Sequence, residues 1–217
     1  MINRAVCAEA VGSFFLFATV IGSGIMAADL SQGNLAIALL GNTMATAAIL
    51  FVLIAMLGPV SGAHFNPAVS LVAAWRGELS VRLLFAYIGV QLLFGIMGVW
   101  AAHLMFEMPV LQLSTTARTG LGQWLAEAIA TFGLILTILG TVRHRAEWVP
   151  ASVALYITAA YWFTSSTSFA NPAITIARSL TDSFSGIAPF DVPMFLLAQL
   201  VGAACAAAVA RFLFDKV

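Results

Sequence analysis

Long apolar runs separated by short polar stretches make up most of the chain, and run length decides what each can be. Six are long: residues 5–27, 34–57, 81–106, 121–142, 149–167 and 191–214. At 1.5 Å rise per residue, about 20 residues cross a ~30 Å hydrocarbon core, so each is read as a transmembrane helix. Two further apolar runs, residues 67 to about 76 and 172 to about 182, hold roughly ten residues each and reach only half-way. The pattern predicts three spans and a half-helix, twice over. Because three is odd, the second set must lie upside down relative to the first, an inverted repeat with units at about 1–107 and 118–217.

Each short run begins at the same tripeptide, Asn66-Pro67-Ala68 and Asn171-Pro172-Ala173, and the asparagines lie 105 positions apart. Asn is a good N-cap, and Pro suits the first helical position, where its missing N–H would have had no partner. Both motifs therefore start helices. A half-helix within a bilayer is tolerated only where its exposed end is buried in protein or lines a cavity, so two of them point to a transport site near the midplane. Other landmarks recur in order. Ala8-Glu9-Ala10 in the first span answers to Ala126-Glu127-Ala128 in the fourth, and Gln91-Leu92 in the third to Gln199-Leu200 in the sixth.

The composition narrows the class. With 62% hydrophobic residues, 8% charged and a mean hydropathy of +1.02, a polytopic membrane protein is the only class that fits. The net charge of zero says nothing about partners; there is no basic tail, and no nucleic-acid partner is expected. The N-terminal apolar run is too long for a cleavable signal peptide. Cys7 and Cys205 fall in predicted spans and read as buried apolar residues. Counting basic residues with both termini inside gives Arg4, Arg76, Arg82, Arg143, Arg145, Arg211 and Lys216 on the inner face, against Arg118 and Arg178 outside. Seven against two places the termini in the cytoplasm.

Two Asn-Pro-Ala boxes on mirror-placed half-helices resemble the aquaporin and glycerol-channel (major intrinsic protein) family. The resemblance covers nearly the whole chain and implies an all-α membrane protein: a right-handed bundle of six transmembrane helices plus two half-helices, assembled as a homotetramer in the plasma (inner) membrane. It implies that Asn66 and Asn171 cap their helices and also offer N–H groups to passing solutes. Both half-helices aim their positive ends at the same place, which opposes cations.

Glu9 and Glu127 are ionisable groups inside apolar spans and must be satisfied there. Either they relay protons or, as the resemblance suggests, they brace the segments leading into the half-helices. Gln91 and Gln199 serve similar structural ends or pack spans together. His64 is a hydrogen-bonded loop residue or a gate.

One departure is informative. Family members usually carry an arginine directly after the second box, forming the narrow outer filter; here Ile174 stands there. Counting from the motifs places the other filter positions at Thr46, Ala159 and Ser168, a ring of small residues expected to be wider than that of water-selective members or of glycerol channels. Arg178, one turn beyond Ile174, either replaces part of the missing charge, held by Asp182 at the next i+4 position, or forms a plain surface pair with Asp182. The run from Asn171 to Asp182 resembles that of bacterial channels associated with arsenic resistance.

These residues hold no nucleophile–base pair, nucleotide loop or metal cluster, so neither an enzyme nor a cofactor is expected. The reading is a passive channel for small uncharged solutes: glycerol-like polyols, water and hydroxylated metalloids such as arsenite. The rivals are a water-selective pore and a proton-coupled secondary transporter working through Glu9 and Glu127.

Overall fold

A computed structural model describes residues 3–214. Lys216, counted above to the inner face, lies outside them. Eight α-helices follow in order: α1 Arg4–Leu30, α2 Leu35–Ser61, α3 Pro67–Trp75, α4 Val81–Met105, α5 Leu121–Arg145, α6 Val149–Phe163, α7 Pro172–Arg178 and α8 Val192–Phe214. No strand occurs among the described residues. Side chains placed by the sequence start the helices: Asn3 Oδ1 accepts from Ala5 N at 2.9 Å, Asn34 Oδ1 from Ala36 N at 3.1 Å and Ser80 Oγ from Leu83 N at 3.3 Å.

Leu121–Phe163 is one apolar stretch that reverses at a 3-10 turn, Ala146–Trp148. Its ends return to each other: Gln123 Nε2 donates to Ser165 O (3.0 Å) and Ser165 Oγ to Gly122 O (3.1 Å). The α6 helix stops at Phe163, four residues before the predicted end of span five. There Thr164 Oγ1 turns back onto Ala160 O at 2.6 Å, and Thr167, Ser168 and Ala170 take left-handed backbone conformations. The half-helix α7 is likewise shorter than expected. It ends at Arg178, and Ser179 Oγ closes it on Ile176 O at 2.7 Å.

The packing follows from lipid as solvent. Phe85, Leu104, Leu155 and Phe212 face outward, while Glu9, Asn42, Gln91, Glu127 and Gln199 are fully or almost fully buried. Helix α1 packs on α4 and α2, and α5 on α8 and α6. In each half a glycine lets two backbones meet. A methyl on Gly98 would overlap Phe14 O of α1, and one on Gly202 would overlap Ala128 O of α5. The cysteine expectation fails: Cys7 and Cys205 are free thiols on the exposed surface, because their positions on α1 and α8 face away from the core.

Candidate functional site

The half-helices α3 and α7 start from near-identical caps. Asn66 has φ −153° and ψ 119°, Asn171 φ −156° and ψ 112°. Asn66 Oδ1 accepts from Ala68 N at 2.9 Å, and Asn171 Oδ1 from Ala173 N at 3.0 Å. Each side-chain amide then reaches into the other half. Asn66 Nδ2 donates to Ala170 O and Asn171 Nδ2 to Phe65 O, both at 2.8 Å. These crossed bonds lock the two helix tips together. An amide nitrogen carries two hydrogens, so each asparagine keeps one for whatever lies beside it.

The segments leading into the tips run against ordinary backbone preference. Ala63 and Phe65 in the first, and Ser168 and Ala170 in the second, have φ between 46° and 52°. Such conformations in non-glycine residues cost of order 1 kcal/mol each and persist only where surroundings impose them. Buried carboxylates do so here. Glu9 Oε1 accepts from Ser61 Oγ (2.7 Å) and His64 N (2.9 Å), its Oε2 from Phe65 N (2.7 Å) and Gln91 Nε2 (2.8 Å). Glu127 Oε1 accepts from Phe169 N (2.8 Å), its Oε2 from Ala170 N (2.9 Å) and Gln199 Nε2 (2.6 Å). Each glutamine also donates to a hydroxyl one turn into the half-helix, Gln91 to Ser70 Oγ and Gln199 to Thr175 Oγ1. Ser70 and Thr175, which hydropathy does not single out, share a position four beyond each asparagine, and that repeat is their signal in the sequence. His64 Nδ1 lies 3.0 Å from Ser70 Oγ, and its ring meets Tyr87 edge-on.

A cavity of about 510 Å³ runs beside the tips. Toward the face bearing the chain ends it is lined by Arg76, Glu78, Val142, Arg143 and Phe214; at the middle by His64, Asn66 and Asn171; beyond them by Thr46, Tyr161, Ser168, Ile174 and Arg178. Glu9, Glu127, Gln91 and Gln199 are not among its lining residues.

Two expectations about the far constriction need correcting. Ala159 is exposed on the outside of α6; Ile157 and Tyr161 are the residues of that stretch that reach the cavity. Counting back from Asn171 assumed a fixed loop, but α6 ends at Phe163 and the extended segment that follows shifts the register. Tyr161 OH lies 3.3 Å from Thr46 Oγ1, joining α6 to α2 across the lumen wall. The second correction concerns Asp182. Because α7 stops at Arg178, no i+4 relation holds, and Asp182 Oδ1 instead accepts from Thr115 N (2.9 Å) and Thr115 Oγ1 (3.0 Å). Those bonds hold its carboxyl below the usual carboxylate value. Arg178 is buried beside the cavity, its Nε donating to Ser185 O and its guanidinium carbon 3.4 Å from the centre of the Phe169 ring.

The profile of the Major intrinsic protein family matches residues 1–166 and 147–217. The chain belongs to the major intrinsic protein family. Among the relatives is Aquaglyceroporin AqpS of Rhizobium meliloti (strain 1021), 55% identical over 214 residues, covering 99% of this chain and 91% of that one. Probable aquaporin AqpM of Archaeoglobus fulgidus is 32% identical over 95% of both chains, and Nodulin-26 of Glycine max 30% identical over 90% of this chain and 72% of its own. In fold, this major intrinsic protein superposes on the X-ray structure of the aquaglyceroporin from Plasmodium falciparum with a TM-score of 0.73, at 18% identity, over 98% of this chain and 96% of that one.

Proposed function

We propose that this chain is a passive transmembrane channel for small uncharged solutes, with water and glycerol-like polyols as its substrates. The observation that carries the reading is the pair Asn66 and Asn171, cross-bonded at the tips of two half-helices, each with one amide hydrogen left for the cavity. A hydroxyl or water oxygen can accept those hydrogens in passing, while the positive ends of α3 and α7 raise the energy of a cation at the same place. The name of the 55% identical relative, an aquaglyceroporin, supports glycerol as a substrate. The two units are about residues 1–107 and 118–217, and the channel sits in the plasma (inner) membrane as a homotetramer with cytoplasmic termini. Hydroxylated metalloids such as arsenite belong to the same class of small neutral guests.

Glu9 and Glu127 act as braces. Their oxygens are occupied by backbone and glutamine N–H groups and lie away from the cavity, which leaves a coupled transporter without a carboxylate at the middle of its path; Glu78, at the mouth, is paired with Arg76. The constriction is formed by Thr46, Tyr161, Ser168, Ile174 and Arg178. With Tyr161 in place of Ala159, that ring is narrower than four small residues would make it. Purified protein in vesicles, offered water, glycerol, urea and arsenite in turn, tests the reading: shrinkage in hyperosmotic glycerol followed by re-swelling is expected. Shrinkage without re-swelling identifies a water-selective pore.

A further inference from the structure

The loss of the filter arginine at position 174 leaves a charge to be accounted for. On the face opposite the chain ends, the loop of residues 106–120 is stitched to residues 179–191. Ser114 N donates to Ser179 O (2.9 Å), Ala188 N to Thr116 O (2.7 Å) and Arg118 N to Asp191 Oδ2 (2.7 Å). Fixed at its main chain, Arg118 turns its side chain inward. Its Nε donates to Gly186 O at 2.7 Å and one terminal nitrogen to Ser166 O at 3.3 Å, and its guanidinium carbon lies 5.1 Å from the centre of the Phe169 ring. The same ring carries Arg178.

Phe169 thus holds two guanidinium groups, an arrangement the negative face of an aromatic ring favours. It occupies the place in the second half that His64 has in the first: each donates its backbone N–H to a glutamate, Glu127 or Glu9. Among the described residues, neither guanidinium has a carboxylate within ion-pair distance; carbonyl oxygens and the ring are their partners. Neither charge is neutralised by a direct ion pair: Asp191 is bound to the Arg118 main chain and Glu127 to the main chain at Phe169 and Ala170. Arg178 uses one of its five N–H donors in the bond to Ser185 and is itself a lining residue of the cavity. Ser168 Oγ, on the cavity wall next to Phe169, is buried with no hydrogen-bond partner of its own.

We infer that Arg118 is a charge-supplying and positioning residue of the constriction: through the shared Phe169 ring it sets Arg178 against the lumen, and the two together exclude cations in place of an arginine at 174. This rests on the channel reading above. Arg118 does not touch the solute. Its effect is a repulsive field on any cation, a hydrated proton included, that reaches the ring between Thr46 and Ser168, where low-dielectric walls preserve that field. A neutral polyol gains hydrogen bonds from Arg178 and Ser168 and meets no barrier of this kind.

The test uses the whole protein in vesicles carrying a pH-sensitive dye, with glycerol flux and proton leak read on the same preparation. Arg118→Gln is expected to raise proton leak at least about tenfold while glycerol flux stays within about twofold. Arg118→Lys, which keeps the charge, stays as tight as the parent. Arg178→Gln leaks like Arg118→Gln. Unchanged leak in Arg118→Gln overturns the inference, and so does a Lys variant that leaks as much as the Gln variant, or a glycerol flux that falls in step with the leak in both; the last two assign Arg118 to loop packing alone. Absence of glycerol flux in the parent protein would instead overturn the channel reading.

Discussion

Glu9 and Glu127 do at the scale of single atoms what makes the rest possible. Each turns a strained, non-helical segment so that its N–H groups are consumed by a carboxylate and its carbonyls hold the opposite asparagine. Glu127→Gln puts an NH2 group where an oxygen now accepts from Phe169, Ala170 or Gln199. Facing donors with a donor leaves buried groups unsatisfied, at about 1–3 kcal/mol each. Thermal unfolding in detergent is expected to show a loss of that size, with Glu9→Gln behaving alike; a proton relay would leave stability intact and change only the response to a pH gradient. Asp182, in the loop, makes a separate prediction. Its carboxyl is held below the ordinary 3.8 by hydrogen bonds from Thr115, so its contribution is present above that value and is lost as pH falls through the lower, folded one. Protection of the Thr115 amide from hydrogen exchange, corrected for the intrinsic rate, is expected to fall on acidification. In Asp182→Asn it is expected to be low at every pH.

The two halves are paired helix by helix, and the pairing shows what was legible. The offset of 105 between the asparagines carries over to structure wherever the chain is held by the motif itself: Phe65 matches Ala170, Ser70 matches Thr175, and the left-handed residues Ala63 and Ser168 match as well. It fails one helix away. The distance from Asn171 back to the lumen-facing turn of α6 depends on where that helix unwinds, and the local bond from Thr164 to Ala160 that ends it has no signature in hydropathy. Hence Ala159 was misplaced and Tyr161 missed. Arg118 had no signal at all, since a loop arginine reads as surface charge until the loop is folded onto Phe169. Packing between helices gives a sharper test. Gly98→Ala and Gly202→Ala each drive a methyl into a facing backbone carbonyl, which overpacks the contact by about 1–3 kcal/mol. Gly89 on α4 has open space around it, and Gly89→Ala is expected to raise the melting temperature slightly, by about 0.5–1 kcal/mol of stability, rather than lower it.

Taken whole, the molecule is apolar outside, and the cavity along its axis has largely apolar walls interrupted by a few polar groups, His64, Asn66, Ser168, Asn171 and Arg178 among them. The bilayer solvates the outer surface, and the few polar groups on the cavity wall mark where a solute can exchange hydrogen bonds. The halves meet broadly, α2 on α6, α4 on α7 and α3 on α8, and at the centre of that contact two amide–carbonyl bonds join the tips of the half-helices. The central claim is that this junction passes neutral solutes down their own gradient. Glycerol flux into vesicles, followed by light scattering with and without an imposed pH gradient, tests it most directly. The account predicts re-swelling that rises linearly with glycerol concentration and is the same in both conditions. Uptake that saturates and follows the pH gradient, or shrinkage with no recovery, would contradict it.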